Sequence, residues 1–185
     1  MEHMIEPSRS ALLVMDYQAG VLTRVGDPDA LVERAAQAIA KARERGIQVA
    51  YVRVAFEDDD LARIPESNKT MSTNAARLRN DAPDTMIDRR LAPEAGDIVV
   101  RKVRVGAFST TDLNDQLRGR GIDTIILAGI STSGVVLSTV RDAADRDYRI
   151  YVLADACADF DAEVHAVLMN KVFPRQADVM STDEL

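Results

Sequence analysis

Ala11-Leu12-Leu13-Val14-Met15 is an unbroken apolar run that stops at Asp16, and it constrains the fold more than any other feature of the chain. A strand with one wet face alternates apolar and polar residues, whereas a strand apolar at every position has to be covered on both faces, as inner strands of parallel sheets are. Further strand candidates occur at 49–54, 98–101, 124–128 and 150–154, with a short one at 179–181. Between them the spacing becomes helical. Leu31, Ala35, Ala38, Ile39 and Ala42 predict a helix over about 29–45, ended by Gly46. Leu113 and Leu117 mark a second helix, Val136, Val140 and Ala143 a third, and Val164, Leu168 and Val172 a fourth. Alternating strands and helices predict an α/β fold: a three-layer α/β/α sandwich around a mainly parallel six-stranded sheet, Rossmann-like, with right-handed crossovers.

At 185 residues the chain suits one domain, 1–185, with an N-terminal tail at 1–9. Segment 56–96 is acidic, carries Pro65, Pro83 and Pro93, and is too long for a bare loop. It is expected to hold short helical turns around Met71, Ala75 and Leu78 and to serve as a lid or an oligomer contact. The longest apolar runs, such as 11–15 and 124–130, fall far short of the roughly 20 residues that cross a bilayer, so no membrane partner is expected. The N-terminus, Met-Glu-His-Met-Ile-Glu-Pro, is neither basic nor followed by an apolar stretch and does not read as a signal peptide, so the expected location is cytoplasmic. The single Cys157 cannot form an internal disulfide, which agrees with a reducing compartment. A net charge of -7 without a dense basic block disfavours nucleic acid.

In open parallel sheets ligands bind beyond the carboxyl ends of the strands. Asp16 ends the first strand, Lys102 follows the third, and Gly129-Ile130-Ser131-Thr132-Ser133-Gly134 joins the fourth to its helix, so all three are expected at one crevice. Lys102 beside Asp16 favours the ionised carboxylate and burial opposes it, which makes them a candidate proton-transfer couple. The amides at Ser131 to Gly134 offer an anion or oxyanion site at a helix start. Each has a plainer reading as well: Asp16 as a turn cap, Lys102 as a solvated side chain, the Ser/Thr cluster as helix capping, and Cys157 as a small core residue. Only His3 and His165 occur, the former in a tail expected to be disordered, which argues against a histidine zinc site or a Ser-His-Asp triad. Glycine-rich phosphate motifs are missing, so neither cofactor nor metal is expected.

Together, Leu13-Val14-Met15-Asp16-Tyr17-Gln18, Lys102-Val103-Arg104-Val105-Gly106-Ala107-Phe108, Gly129-Ile130-Ser131-Thr132 and Asp155-Ala156-Cys157-Ala158 resemble the isochorismatase-like hydrolases over about residues 10–185. That resemblance implies a catalytic set of an aspartate after strand one, a lysine after strand three and a cysteine on the helix after strand four. Asp16 and Lys102 match the first two. The third motif, laid on 129–139, puts Val135 where the cysteine belongs, and valine cannot form the thioester by which the family's amidases work. The Asp-x-His-x-His metal pattern of the nicotinamidase branch is absent from 51–55. True isochorismatases also lack the cysteine and are thought to protonate an enol ether from the aspartate, although they resemble Gly-Val-Tyr where this chain has Gly129-Ile130-Ser131. The resemblance thus implies a hydrolase for a small carboxylated or cyclic metabolite, with Asp16 and Lys102 catalytic. Gln18, Ser131, Thr132, Ser133, Gly134 and Val135 are then expected at the substrate, and a homo-oligomer, dimer or higher, as the assembly. The alternative is a non-catalytic small-molecule binder or assembly member of the same fold.

Overall fold

The computed structural model describes residues 5–185, so His3 and the first part of the expected tail lie outside the described residues. Ile5 is buried, Pro7–Arg9 form a 3-10 turn and Arg9 pairs with Asp123, so the later part of the stretch expected as a tail is folded onto the domain. Six strands, β1 (Ser10–Met15), β2 (Gln48–Val54), β3 (Ile98–Lys102), β4 (Thr124–Ile130), β5 (Arg149–Ala158) and β6 (Asp178–Met180), form one sheet in the order β3-β2-β1-β4-β5-β6. Every pairing is parallel. The chain therefore runs outward from β1 to β3, returns, and continues from β4 on the other side, leaving a topological switch point between β1 and β4.

β1 is buried at all its positions, and its alternating side chains divide between two cores. Ala11, Leu13 and Met15 pack on one face with Leu113 and Leu117 of α5 (Leu113–Gly119) and Val140 and Ala143 of α6 (Leu137–Asp145). Leu12 and Val14 pack on the other with Leu31, Val32, Ala35 and Ile39 of α2 (Pro28–Glu44). Burying each of Leu31, Val32 and Ile39 contributes about 1.5–3 kcal/mol. The Asp27 side chain caps α2 by accepting from Ala30 N–H at 3.1 Å, and Pro28 sits in its first turn. Gly46, at φ 74°, takes the left-handed turn that ends it.

β5 runs beyond the expected 150–154. A register shift lets it continue to Ala158, so Cys157 lies inside the strand, opposite Gly129, rather than past its end. The apolar pattern could not show this extension, because Asp155 interrupts it. The helical region after β5 is α7 (Ala162–Val167), followed by a wider turn at Leu168–Val172.

Segment 56–96 contains α3 (Asp58–Ala62), α4 (Lys69–Asn74) and 3-10 turns at Ala75–Arg77, Pro83–Thr85 and Arg89–Leu91. Its small core of Val54, Phe56, Met71 and Ala75 takes in Val103 and Val105, so it seats on the carboxyl ends of β2 and β3. It also meets the chain after β1, which forms the single turn α1 (Ala19–Leu22). Gln18, fully buried, is the seam between them. Its amide group donates to Val54 O and Thr85 O at 2.8 Å each and accepts from Val54 N–H at 2.8 Å. That corrects the expectation that Gln18 orients substrate: its side-chain amide is spent on the backbone, where it closes the gap between β1, β2 and segment 56–96. Gln18→Ala strands these buried backbone groups and is expected to destabilise the protein by about 2–4 kcal/mol. Urea unfolding measures this, and a loss below about 1 kcal/mol would contradict the seam.

Candidate active site

Asp16 stands one residue beyond β1 with φ 61°, in the left-handed region that aspartate tolerates better than most residues. This turn brings its carboxylate back under the ends of the neighbouring strands, where it is 5% exposed. Asp16 Oδ2 is 2.9 Å from the Lys102 ammonium, itself 2% exposed at the end of β3. The same ammonium donates to Val105 O at 2.7 Å and to Arg104 O at 3.2 Å. Three oxygens thus meet the three N–H bonds of the lysine, which leaves it fully committed to Asp16 and to the turn after β3. Asp16 Oδ1 is buried and has no hydrogen-bond partner among the described residues. Burial pushes the Asp16 carboxyl above its ordinary value, and Lys102 opposes that shift.

Across the switch point, β4 ends in a cis Ile130–Ser131 peptide and enters the turn Thr132–Val136 that leads into α6. Here the expected amide site needs correction. Ser133 N–H donates to Asp159 Oδ2 at 2.6 Å and Gly134 N–H to Ser131 O at 3.2 Å, so both are already satisfied within the chain. Gly134 is where it is because Ser131 crowds it: a Cβ there would stand 2.7 Å from Ser131 Oγ. Thr132 is fully buried and its hydroxyl lies 2.8 Å from His165 Nδ1. Val135 is 2% exposed and packs into the core beneath the turn.

Asp159 and His165 are the residues that sequence reasoning did not assign here. Both come from the connection after β5 and hold the loop after β4, one by its carboxylate and one by its imidazole. Burial lowers the His165 pKa, with Asp159 pulling the other way. No local motif links Thr132 to a histidine so far along the chain; only the adjacency of β4 and β5 does. Cys157 is buried, its thiol 3.7 Å from Leu127 O, and burial pushes its pKa up to about 12. A thiol so held stays protonated at neutral pH and is no nucleophile. Among the described residues no helix is long and apolar enough to cross a membrane.

Comparison with known proteins agrees with this architecture. The isochorismatase domain model matches residues 10–184. An uncharacterized isochorismatase family protein, YecD of Escherichia coli O157:H7, is 37% identical, over 95% of this chain and 94% of that protein. A ureidoacrylate amidohydrolase, RutB of Methylorubrum extorquens, is 34% identical, over 80% of this chain and 68% of that protein. Among solved structures, a cysteine hydrolase from Pseudomonas syringae pv. phaseolicola 1448A superposes with a TM-score of 0.89 at 26% identity, covering 97% of this chain and 92% of that one. With its Asp16–Lys102 pair at the carboxyl edge of a β3-β2-β1-β4-β5-β6 sheet, this chain belongs to the isochorismatase family of hydrolases.

Proposed function

We propose that the chain hydrolyses a small metabolite by acid catalysis from Asp16, without a cysteine nucleophile. The observation that carries this reading is the asymmetry of the buried carboxylate: Oδ2 is held by Lys102 while Oδ1 has no partner among the described residues. A buried carboxyl with one oxygen pinned and one free is poised to carry a proton on the free oxygen. Val135 supports the same reading from the other side, since nothing at that position can form a thioester.

For an enol ether the chemistry balances simply. Asp16 gives its proton to the alkene carbon, leaving an oxocarbenium ion; water adds to that cation and returns a proton to the carboxylate. The resulting hemiketal then collapses to a carbonyl compound and an alcohol. Lys102 acts by electrostatics and position, because each of its N–H bonds already has an acceptor. Val135 also favours a second reading, a non-catalytic binder, in which the Asp16–Lys102 pair is structural.

Purified wild type and Asp16→Asn are to be assayed by mass spectrometry against enol ethers, including isochorismate, and small amides. Asparagine keeps the side-chain shape and tolerates the left-handed backbone, and a thermal melt verifies the fold. The expected outcome is enol-ether cleavage that falls by about 10²–10⁴-fold in the variant; full turnover by Asp16→Asn would refute the assignment. No turnover of any substrate in the panel would instead favour the binder.

The pH profile has a fixed sign. The acid form reacts and burial raises its pKa, so kcat/KM holds on the acid side and falls with rising pH, about tenfold per unit beyond that pKa. A rate that instead climbs through that range would identify Asp16 as a base. Val135→Cys, a change of similar volume, is expected to stay without amidase activity toward small amides, because the Ser133 and Gly134 amides are already taken by Asp159 and Ser131; amidase activity gained by the variant would show that the surrounding groups do support the thioester route.

A further inference from the structure

Beside α1, between it and the segment that follows α4, lies a cavity of about 590 Å³, a size suited to a small molecule. Its lining combines Gly20, Val21 and Arg24 from α1 and the turn after it with Arg77, Leu78 and Asp84 from the segment after α4. Carboxylates outnumber cations and the net charge is -7, and several arginines are matched: Arg43 with Glu94 and Asp97, Arg79 with Asp58, Arg90 with Asp88 and Asp29, Arg101 with Asp60. Arg63, Arg89 and Arg175 stand without such partners among the described residues as well, but Arg24 and Arg77 are the two that share this cavity. Arg77 makes no hydrogen bond or ion pair among the described residues. Arg24 only lies over the Phe160 ring, 3.9 Å from its centroid, a contact that occupies the face of the guanidinium and leaves its N–H edge free. Asp84 shares the cavity yet bonds to neither.

We infer that this cavity is an anion subsite that takes the carboxylate of a small-molecule ligand on Arg24 and Arg77. Guanidinium groups present paired N–H donors in a plane that matches a carboxylate. Asp84 sets the charge limit. Its negative charge in the lining repels a dianion and accepts an N–H or O–H placed beside the carboxylate, so the ligand is a monoanion with a neighbouring donor. Gly20 lets α1 pack directly against Asp84, since a Cβ at that position would come within 2.9 Å of Asp84 Cβ. That this ligand is also the substrate rests on the proposed function: α1 begins three residues after Asp16, on the same carboxyl edge of the sheet.

The probe is N-acetylglycine, a monocarboxylate with an N–H donor, titrated into ¹⁵N-labelled protein and followed by amide shifts. Its methyl ester and inorganic phosphate serve as comparisons at matched ionic strength. Saturable shifts at 20–24 and 74–78 are expected with N-acetylglycine, and much weaker ones with the ester or phosphate. Arg24→Ala and Arg77→Ala are each expected to weaken binding about tenfold or more, as loss of a charge-assisted contact does. Both side chains are exposed, so neither change threatens the fold. Asp84→Gly is avoided as a backbone perturbation; Asp84→Asn is expected to relax the selectivity against phosphate. Binding of N-acetylglycine is read without turnover, so failure of the catalytic reading leaves this result intact. Absence of saturable shifts, equal binding of the ester or of phosphate, or indifference to Arg77→Ala would overturn the subsite.

Discussion

The buried ion pair between Lys102 and Asp16 is the interaction on which the rest of the molecule's carboxyl edge depends. Its two charges come from strands separated by β2, and both are withdrawn from water. Such a pair does not make a fold stable on its own, because desolvation consumes most of the attraction. Removing one partner is nonetheless costly, about 3–5 kcal/mol, because the other charge is left stranded. Lys102 spreads this dependence further. By also binding the carbonyls of Arg104 and Val105 it fixes the turn after β3, and that turn supplies Val103 and Val105 to the small core of segment 56–96. Electrostatics at the site and packing of that segment are therefore one structure.

The same edge is built from the other side by hydrogen bonds that carry no net charge pairing. Gln18 joins the end of β1 to β2 and segment 56–96, while Asp159 and His165 tie the loop after β4 to the connection after β5. Tyr17 adds a bond from its hydroxyl to Ala156 O. The switch point between β1 and β4 is thus bridged on both sides by polar groups whose partners are backbone atoms or a single side chain. The consequence is that the residues directly after Asp16 are anchored, Tyr17 by its hydroxyl and Gln18 by its amide.

What can be read from the sequence follows from which signals are local. The strands and the helix at 28–44 are legible because burial on both faces leaves a continuous apolar run and a one-sided helix leaves a period. Asp16 and Lys102 are legible as strand-end residues, since a parallel sheet brings such ends to one edge. The extension of β5 to Ala158 is not, because the register shift that permits it is a property of the pairing with β4. Nor is the use of the Ser133 and Gly134 amides, which depends on Asp159 and Ser131 being folded against them. Gln18 can be placed at the right edge but not with its right partner, for the sequence names a polar side chain without saying whether it will face a ligand or a backbone.

Val135 gives these observations a direction. Nucleophilic catalysis by a thiolate needs a base to take its proton and donors to hold the oxyanion formed next to it. Here the loop's Ser133 and Gly134 amides are turned inward to Asp159 and Ser131, and Val135 is packed into the core. Acid catalysis in the proposed reaction asks for other groups: a proton on a buried carboxyl and a cation to hold its other oxygen, as in the Asp16–Lys102 pair. Giving that proton to an alkene carbon leaves the negative charge on Asp16 itself, beside Lys102, so the reaction does not call on the Ser133 and Gly134 amides. In the proposed reaction the valine at 135 and the inward-held amides are therefore two sides of one site, which protonates rather than attacks.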